Sequence, residues 1–143
     1  MGECVLVVDD HPPMVKLIRD ALEKEGYLVL SAQNGAEGLR VAAAHRPDLV
    51  ILDVEMPVMN GFEVLRALKL KVATRALPVI MFTVHKDPQD LLAGWMGGAD
   101  QYLTKPCRIE EVVAAVKRAL ALPDHDPYEL PRSSPSAAES VAD

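Results

Sequence analysis

The sequence predicts an α/β fold: a single domain built on a doubly wound, five-stranded parallel sheet with five helices. Three observations lead there. Five short runs rich in Val, Ile and Leu recur along the chain, they show little polar alternation, and segments of helical period separate them. Strands covered on both faces lose the in–out alternation of half-exposed sheets. Strands that alternate with helices along the chain build parallel sheets with helices on both sides. A length of 143 residues with half of them apolar suits one such domain.

Taken in order, residues 4–8 form the first strand. Met14, Leu17, Ile18, Ala21 and Leu22 then trace one apolar stripe of a helix that Gly26 ends. Residues 27–31 supply the second strand. Asn34-Gly35-Ala36-Glu37 reads as a capping box, with Asn34 as the cap and Glu37 reaching back to the Asn34 amide. Residues 48–52 are the third strand, and Asn60-Gly61 opens a third helix through Phe62, Leu65 and Leu68. Residues 77–82 are the fourth strand. Asp87-Pro88 places a cap and a first-turn proline ahead of a fourth helix, with Trp95 as packing and Met96 beside it near the end. Residues 101–103 form the fifth strand. Cys107 starts the last helix, whose stripe is Ile109, Val112, Val113, Val116 and Leu120, and Pro123 stops it. The domain therefore covers residues 3–122.

Residues 123–143 have a different character. They hold Pro123, Pro127, Pro131 and Pro135, several serines, and five acids against Arg132 alone, a net of −4 out of the chain's −6. Such a segment buries too little apolar surface to offset its ordering entropy, so it reads as a flexible acidic tail. The acidic balance and the lack of a basic patch or helix-turn-helix segment argue against direct contact with nucleic acid. No apolar run approaches the roughly 20 residues that span a bilayer, and no secretory signal opens the chain. Cys4 and Cys107 follow no metal-ligand spacing and read as reduced thiols. A cytoplasmic protein without membrane insertion is expected.

In an open parallel sheet, ligands bind beyond the carboxyl ends of the strands. There the first strand carries Asp9-Asp10, the third Asp53, the fourth Thr83, and the fifth Lys105-Pro106. Singly, each is most simply a loop residue or a salt-bridge partner. The discriminating fact is that all follow separate apolar strands and so converge on one edge. Three carboxylates gathered in one pocket repel one another and call for a cation. A hard divalent ion with oxygen ligands is the natural choice, and Mg²⁺ fits because it needs only one or two carboxylates. With that ion and the Lys105 ammonium in place, an aspartate can attack a phosphoryl donor while both cations neutralise the phosphoryl oxygens. Thr83 offers a hydroxyl to the same group.

These residues resemble the receiver domains of two-component response regulators, the CheY-like family. The matching pieces are Val7-Val8-Asp9-Asp10, Leu52-Asp53-Val54-Glu55-Met56-Pro57, Asn60-Gly61, Thr83, Gly98-Ala99-Asp100 and Tyr102-Leu103-Thr104-Lys105-Pro106. The resemblance covers about residues 3–122. It implies a flavodoxin-like sheet in the order 2-1-3-4-5 and Asp53 as phosphoacceptor. It also implies Mg²⁺ held by Asp9, Asp10, Asp53 and the main-chain carbonyl of Glu55, with Thr83 and Lys105 on the phosphoryl group and a cis bond at Pro106. The donor would be a sensor histidine kinase or a histidine phosphotransfer protein. Phosphorylation would draw Thr83 inward, let Tyr102 rotate from solvent, and change the face of the fourth helix, fifth strand and fifth helix for a downstream protein to read. Such a chain is a phosphoacceptor that assists its own phosphorylation and dephosphorylation, not an enzyme turning over small substrates.

Val84 stands where the family commonly has a smaller residue, and His85 follows it. Together they are expected to tune the lifetime of the phosphoryl group. Cys107 replaces a common aromatic and is assigned no chemistry. Met1 and the polar tail favour a stand-alone module without its own output domain over a receiver cut from a larger regulator. One competing reading is a Mg²⁺-dependent phosphatase of the haloacid-dehalogenase type. Those enzymes place a second Asp two residues after the nucleophile, where this chain has Glu55. A flavin or nucleotide binder would need a Gly-rich loop after the first strand, and none is present.

Overall fold

The computed structural model of the chain describes residues 2–83, 98–105 and 107–121, with the side chain of Thr83 outside that set. They form β1 (Cys4–Val8), α1 (Pro12–Lys24), β2 (Leu28–Ala32), α2 (Gly35–His45), β3 (Leu49–Asp53), α3 (Gly61–Leu70), β4 (Val79–Thr83), β5 (Gln101–Thr104) and α4 (Ile109–Ala121). The helix expected after Asp87-Pro88, with Trp95 and Met96, falls outside the described residues, as does the segment 123–143. The helix labelled α4 here is thus the fifth of the sequence reading. The sheet runs β2-β1-β3-β4-β5 with every neighbouring pair parallel, the order that the resemblance implied.

The missing alternation in the strands has a direct cause. Successive side chains leave opposite faces of a strand, and here both faces are covered. Leu6, Val8, Val50, Leu52, Val79 and Met81 meet α2 and α3 through Ala42, Val64, Leu65 and Leu68. Val5, Val7, Leu49, Ile51, Ile80 and Phe82 meet α1 and α4 through Ile18, Leu22, Val112, Ala115, Val116 and Ala119. Each fully buried aliphatic side chain contributes roughly 1.5–3 kcal/mol. Among the described residues the central strands are thereby deeply buried on both faces, and their ends make a well-anchored platform.

Several boundaries differ from those read in the sequence. β2, β3 and β4 each begin and end one or two residues later than expected. The cause at β3 is Asp48, whose side chain accepts from the Cys4 amide at 2.7 Å and so belongs to the connection rather than the strand. At β4, Pro78 cannot donate to a ladder and only its carbonyl pairs, with the Val50 amide. Leu17, placed in the apolar stripe of α1, is half exposed, because the buried seam is Ile18 and Leu22. Cys107 precedes α4 by two residues instead of starting it.

The helix starts follow capping chemistry. Asn34 accepts from the Glu37 amide at 2.8 Å as expected, but the Glu37 carboxylate takes the Gln33 amide at 2.6 Å rather than that of Asn34. The full reciprocal box sits instead at α3, where Asn60 and Glu63 exchange bonds of 3.0 and 2.9 Å. At the far end of α3, buried Lys69 donates to the Arg75 and Leu77 carbonyls, and Thr74 donates to that of Leu68. The free rim of β2 is covered by Arg19, whose guanidinium donates to the Val29 carbonyl and the Ser31 hydroxyl. Both cysteines are free thiols, and no helix among the described residues is long and apolar enough to cross a membrane.

Candidate functional site

Strand register places the site. Val8 pairs with Leu52, Asp53 with Phe82, and Thr83 with Thr104, so the carboxyl ends of β1, β3, β4 and β5 form one edge. Asp9 and Asp10 leave β1 there, Asp53 closes β3, and Lys105 follows β5. One carboxylate oxygen from each of Asp9, Asp10 and Asp53 lies within 4.8 Å of the others. Asp9 and Asp53 are buried and Asp10 is exposed. The Lys105 Nζ sits 3.4 Å from Asp9 Oδ2 and 3.5 Å from Asp53 Oδ1. Four of the five side chains that the sequence placed on this edge, Asp9, Asp10, Asp53 and Lys105, are together. The side chain of the fifth, Thr83, lies outside the described residues.

Local backbone fixes two of the carboxylates, those of Asp9 and Asp53. The His11 amide, at the head of α1, donates to Asp9 Oδ1 at 2.9 Å. The Glu55 amide donates to Asp53 Oδ1 over a long 3.4 Å. The loop from β3 to α3 is closed by a 2.9 Å bond from the Gly61 amide to the Val54 carbonyl. That closure brings the α carbon of Gly61 against the main-chain carbonyl of Asp53, where a β carbon would collide. Gly61 is thus required by close approach, whereas the sequence had marked it only as a helix start.

The charges do not balance. Among the described residues three carboxylates face one ammonium, and the excess falls on Asp53, itself buried beside Asp9. Burial first, and the Asp9 carboxylate second, raise the pKa of Asp53 from 3.8 to about 6, although Lys105 and the Glu55 amide pull it down. An all-oxygen donor set with uncompensated negative charge fits a hard divalent cation such as Mg²⁺. Among the described residues, Asp9, Asp10 and Asp53 are the side chains grouped closely enough to hold one.

Other expected residues are placed with less detail. Thr83 ends β4 beside Thr104, on the same edge as the acids. Glu55 is exposed at the start of the loop after β3. Tyr102 lies in β5, is partly buried, packs against the core on the α2–α3 side, and has its hydroxyl shielded from solvent. Val84, His85 and Pro106 lie outside the described residues. Phe82 was read only as strand core, yet its ring lies under the Lys105 ammonium, 5.0 Å from Nζ to centroid. Nothing in the sequence distinguishes it from any other buried aromatic.

Residues 5–117 match the family described as "Response regulator receiver domain". The chain belongs to the response regulator receiver family. Among its relatives, the probable transcriptional regulatory protein TcrX of Mycobacterium tuberculosis is 40% identical over 116 residues, covering 81% of this chain and 49% of TcrX. Protein PilH of Pseudomonas aeruginosa is 38% identical over 117 residues, covering 82% of this chain and 97% of PilH. This receiver therefore spans about half the length of one relative and nearly all of the other. Among solved structures it is similar to the chemotaxis protein CheY4 of Vibrio cholerae, with a TM-score of 0.79 and 33% identity over 84% of this chain and all of CheY4. It is also similar to the receiver domain of the sensor histidine kinase PA1611 of Pseudomonas aeruginosa, with a TM-score of 0.78 and 26% identity over 85% of this chain and 100% of that one. The PA1611 structure carries a magnesium ion coordinated in its active-site cleft. As a receiver, the chain is a module of two-component phosphorelay signalling.

Proposed function

We propose that Asp53 is the phosphoacceptor of this receiver and that phosphoryl uptake requires Mg²⁺ held by Asp9, Asp10, Asp53 and the main-chain carbonyl of Glu55. The observation that carries the reading is the buried Asp53 carboxylate, raised to a pKa of about 6 and set 3.5 Å from the Lys105 ammonium. A nucleophile so placed is ionised at neutral pH, stripped of most of its water, and next to a cation that can accept charge from an incoming phosphoryl group.

The donor is a sensor histidine kinase or a histidine phosphotransfer protein. An Asp53 oxygen attacks phosphorus, the nitrogen–phosphorus bond of the donor breaks, and an acyl phosphate forms. Lys105 and the Thr83 hydroxyl bind the phosphoryl oxygens. Mg²⁺ supplies electrostatic stabilisation of those same oxygens when bound. The chain turns over no small substrate; it assists its own phosphorylation and dephosphorylation. Thr83 and Tyr102 relay the state of the site to the face around β5 and α4, which a downstream protein reads in the cytoplasm. Val84 and His85 set how long the phosphoryl group lasts. Val84→Ala is expected to speed its hydrolysis, and an unchanged rate removes the role.

Intact mass after incubation with acetyl phosphate tests the reading. One added phosphoryl group is expected with Mg²⁺, none after chelation, and none on Asp53→Asn. An adduct that survives in the variant moves the acceptor elsewhere. No adduct under any condition, with beryllofluoride also failing to bind, makes the pocket inert.

A further inference from the structure

Lys105 is held by neighbours of two kinds. Its Nζ lies 3.4 and 3.5 Å from oxygens of Asp9 and Asp53, and 5.0 Å from the centroid of the Phe82 ring. An ammonium within about 6 Å of an aromatic face is attracted by the electron density of the ring. The ring cannot follow the lysine if it moves. Phe82 is buried in the α1–α4 core, and its strand places it in register with Asp53 on one side and Leu103 on the other. The lysine, by contrast, has a flexible four-carbon stem and a head that prefers water.

We infer that Phe82 is a positioning residue for phosphoryl uptake, holding the Lys105 ammonium over the site by its ring face. The inference rests on the phosphoacceptor reading above and extends it to the residue that aims the lysine. The argument turns on competition. Asp9 and Asp53 are the groups that a divalent cation also claims, and their hold on Lys105 weakens as their charge is shared. The attraction of the ring is uncharged and uncontested. Phe82 therefore keeps the ammonium where phosphoryl oxygens arrive, when the carboxylates alone would release it to solvent. A preorganised donor of this kind costs no reorganisation at the moment of transfer.

A residue that only fills the core would be indifferent to the electron density of its ring, and that separates the two roles. Phenylalanines with one, two and three ring fluorines at position 82 keep shape and apolar character while draining the ring face. The initial rate of Asp53 phosphorylation by acetyl phosphate is expected to fall stepwise along the series, by about five-fold in total, with the melting temperature nearly constant. Phe82→Leu should lose at least as much rate. A second readout needs no turnover: in the metal-free protein the ε-methylene protons of Lys105 should resonate upfield, shielded by the ring, and return in Phe82→Leu. A normal lysine shift in the parent chain overturns the contact. A rate that stays level along the fluorinated series, in a chain that phosphorylates normally, reduces Phe82 to packing. If the parent chain takes up no phosphoryl group at Asp53, the underlying reading falls and the positioning role with it, even where the upfield shift is present.

Discussion

Replacing Asp53 by asparagine keeps the size of the side chain and removes its capacity to ionise. In the folded chain burial, and then the Asp9 carboxylate, raise the pKa of Asp53 from 3.8 to about 6. The displacement of about two units, at about 1.4 kcal/mol each, means that ionising Asp53 costs the folded state about 3 kcal/mol. The folded value lies above the unfolded one. The stabilising contribution is therefore complete below about pH 4 and is lost as the pH rises through about 6. An asparagine suffers no such loss. In chelator, urea denaturation is expected to show the variant gaining about 3 kcal/mol over the parent between roughly pH 4 and pH 7.5. Subtracting the two curves cancels the titrating groups that do not interact with position 53. Added Mg²⁺ should return stability to the parent near neutral pH through binding to the folded state alone, and return less to the variant. A difference curve that stays level from about pH 4 to 8 would falsify the claim that the fold holds Asp53 against its charge.

Three further substitutions probe the loop that frames the site. Val58 is a fully exposed β-branched residue at φ 71°, and the Met59 amide bonds across it to the Pro57 carbonyl at 2.8 Å. A turn of that hand is strained for any side chain, so Val58→Gly should raise stability by about 1 kcal/mol, read as a higher urea midpoint at unchanged slope. Asn60→Ala removes the cap of α3 and half of its reciprocal box, and should cost about 1 kcal/mol by the same assay. Gly61→Ala drives a β carbon into the Asp53 carbonyl and the Val54 α carbon. It should cost roughly 1–3 kcal/mol and also slow phosphoryl uptake well below the melting temperature, because the strain falls on the backbone of Asp53. Full activity in a destabilised Gly61→Ala chain would show that the loop yields without moving the carboxylate.

The sheet was legible because its signal is composition: both faces of β1, β3 and β4 are buried, so their apolar runs are unbroken. The acids and Lys105 were legible because strand ends are sequence positions, and a parallel sheet collects such ends on one edge. What the sequence hid is contact across space. The Glu37 carboxylate took the Gln33 amide over that of Asn34, at a cap whose φ of −153° contrasts with −77° at Asn60, where the full box forms. Leu17 looked like its neighbours in the stripe, yet only the orientation of α1 against α4 decides which side of the stripe is covered. Gly61 was read as part of a helix start, while its tighter constraint is the Asp53 carbonyl at the end of β3. The ring of Phe82 under Lys105 is the same kind of fact, a pairing between strands whose partner is distant in sequence.

These contacts share one logic. The apolar sheet gains its stability from residues whose side chains leave the two covered faces, and its carboxyl edge is where that gain can be set against a charge the fold would otherwise reject. Asp53 is bonded to a rigid strand, so the repulsion from Asp9 cannot be relieved by letting the side chain swing into water. It can be relieved by a bound cation, by a proton, or, on the proposed reading, by conversion of the carboxylate to an acyl phosphate whose oxygens Lys105 and the cation would share. A site tuned for stability alone would carry an asparagine at position 53. That this chain keeps an aspartate there, with a lysine too few to neutralise its neighbours, is what makes the occupancy of the edge able to change the energy of the whole domain.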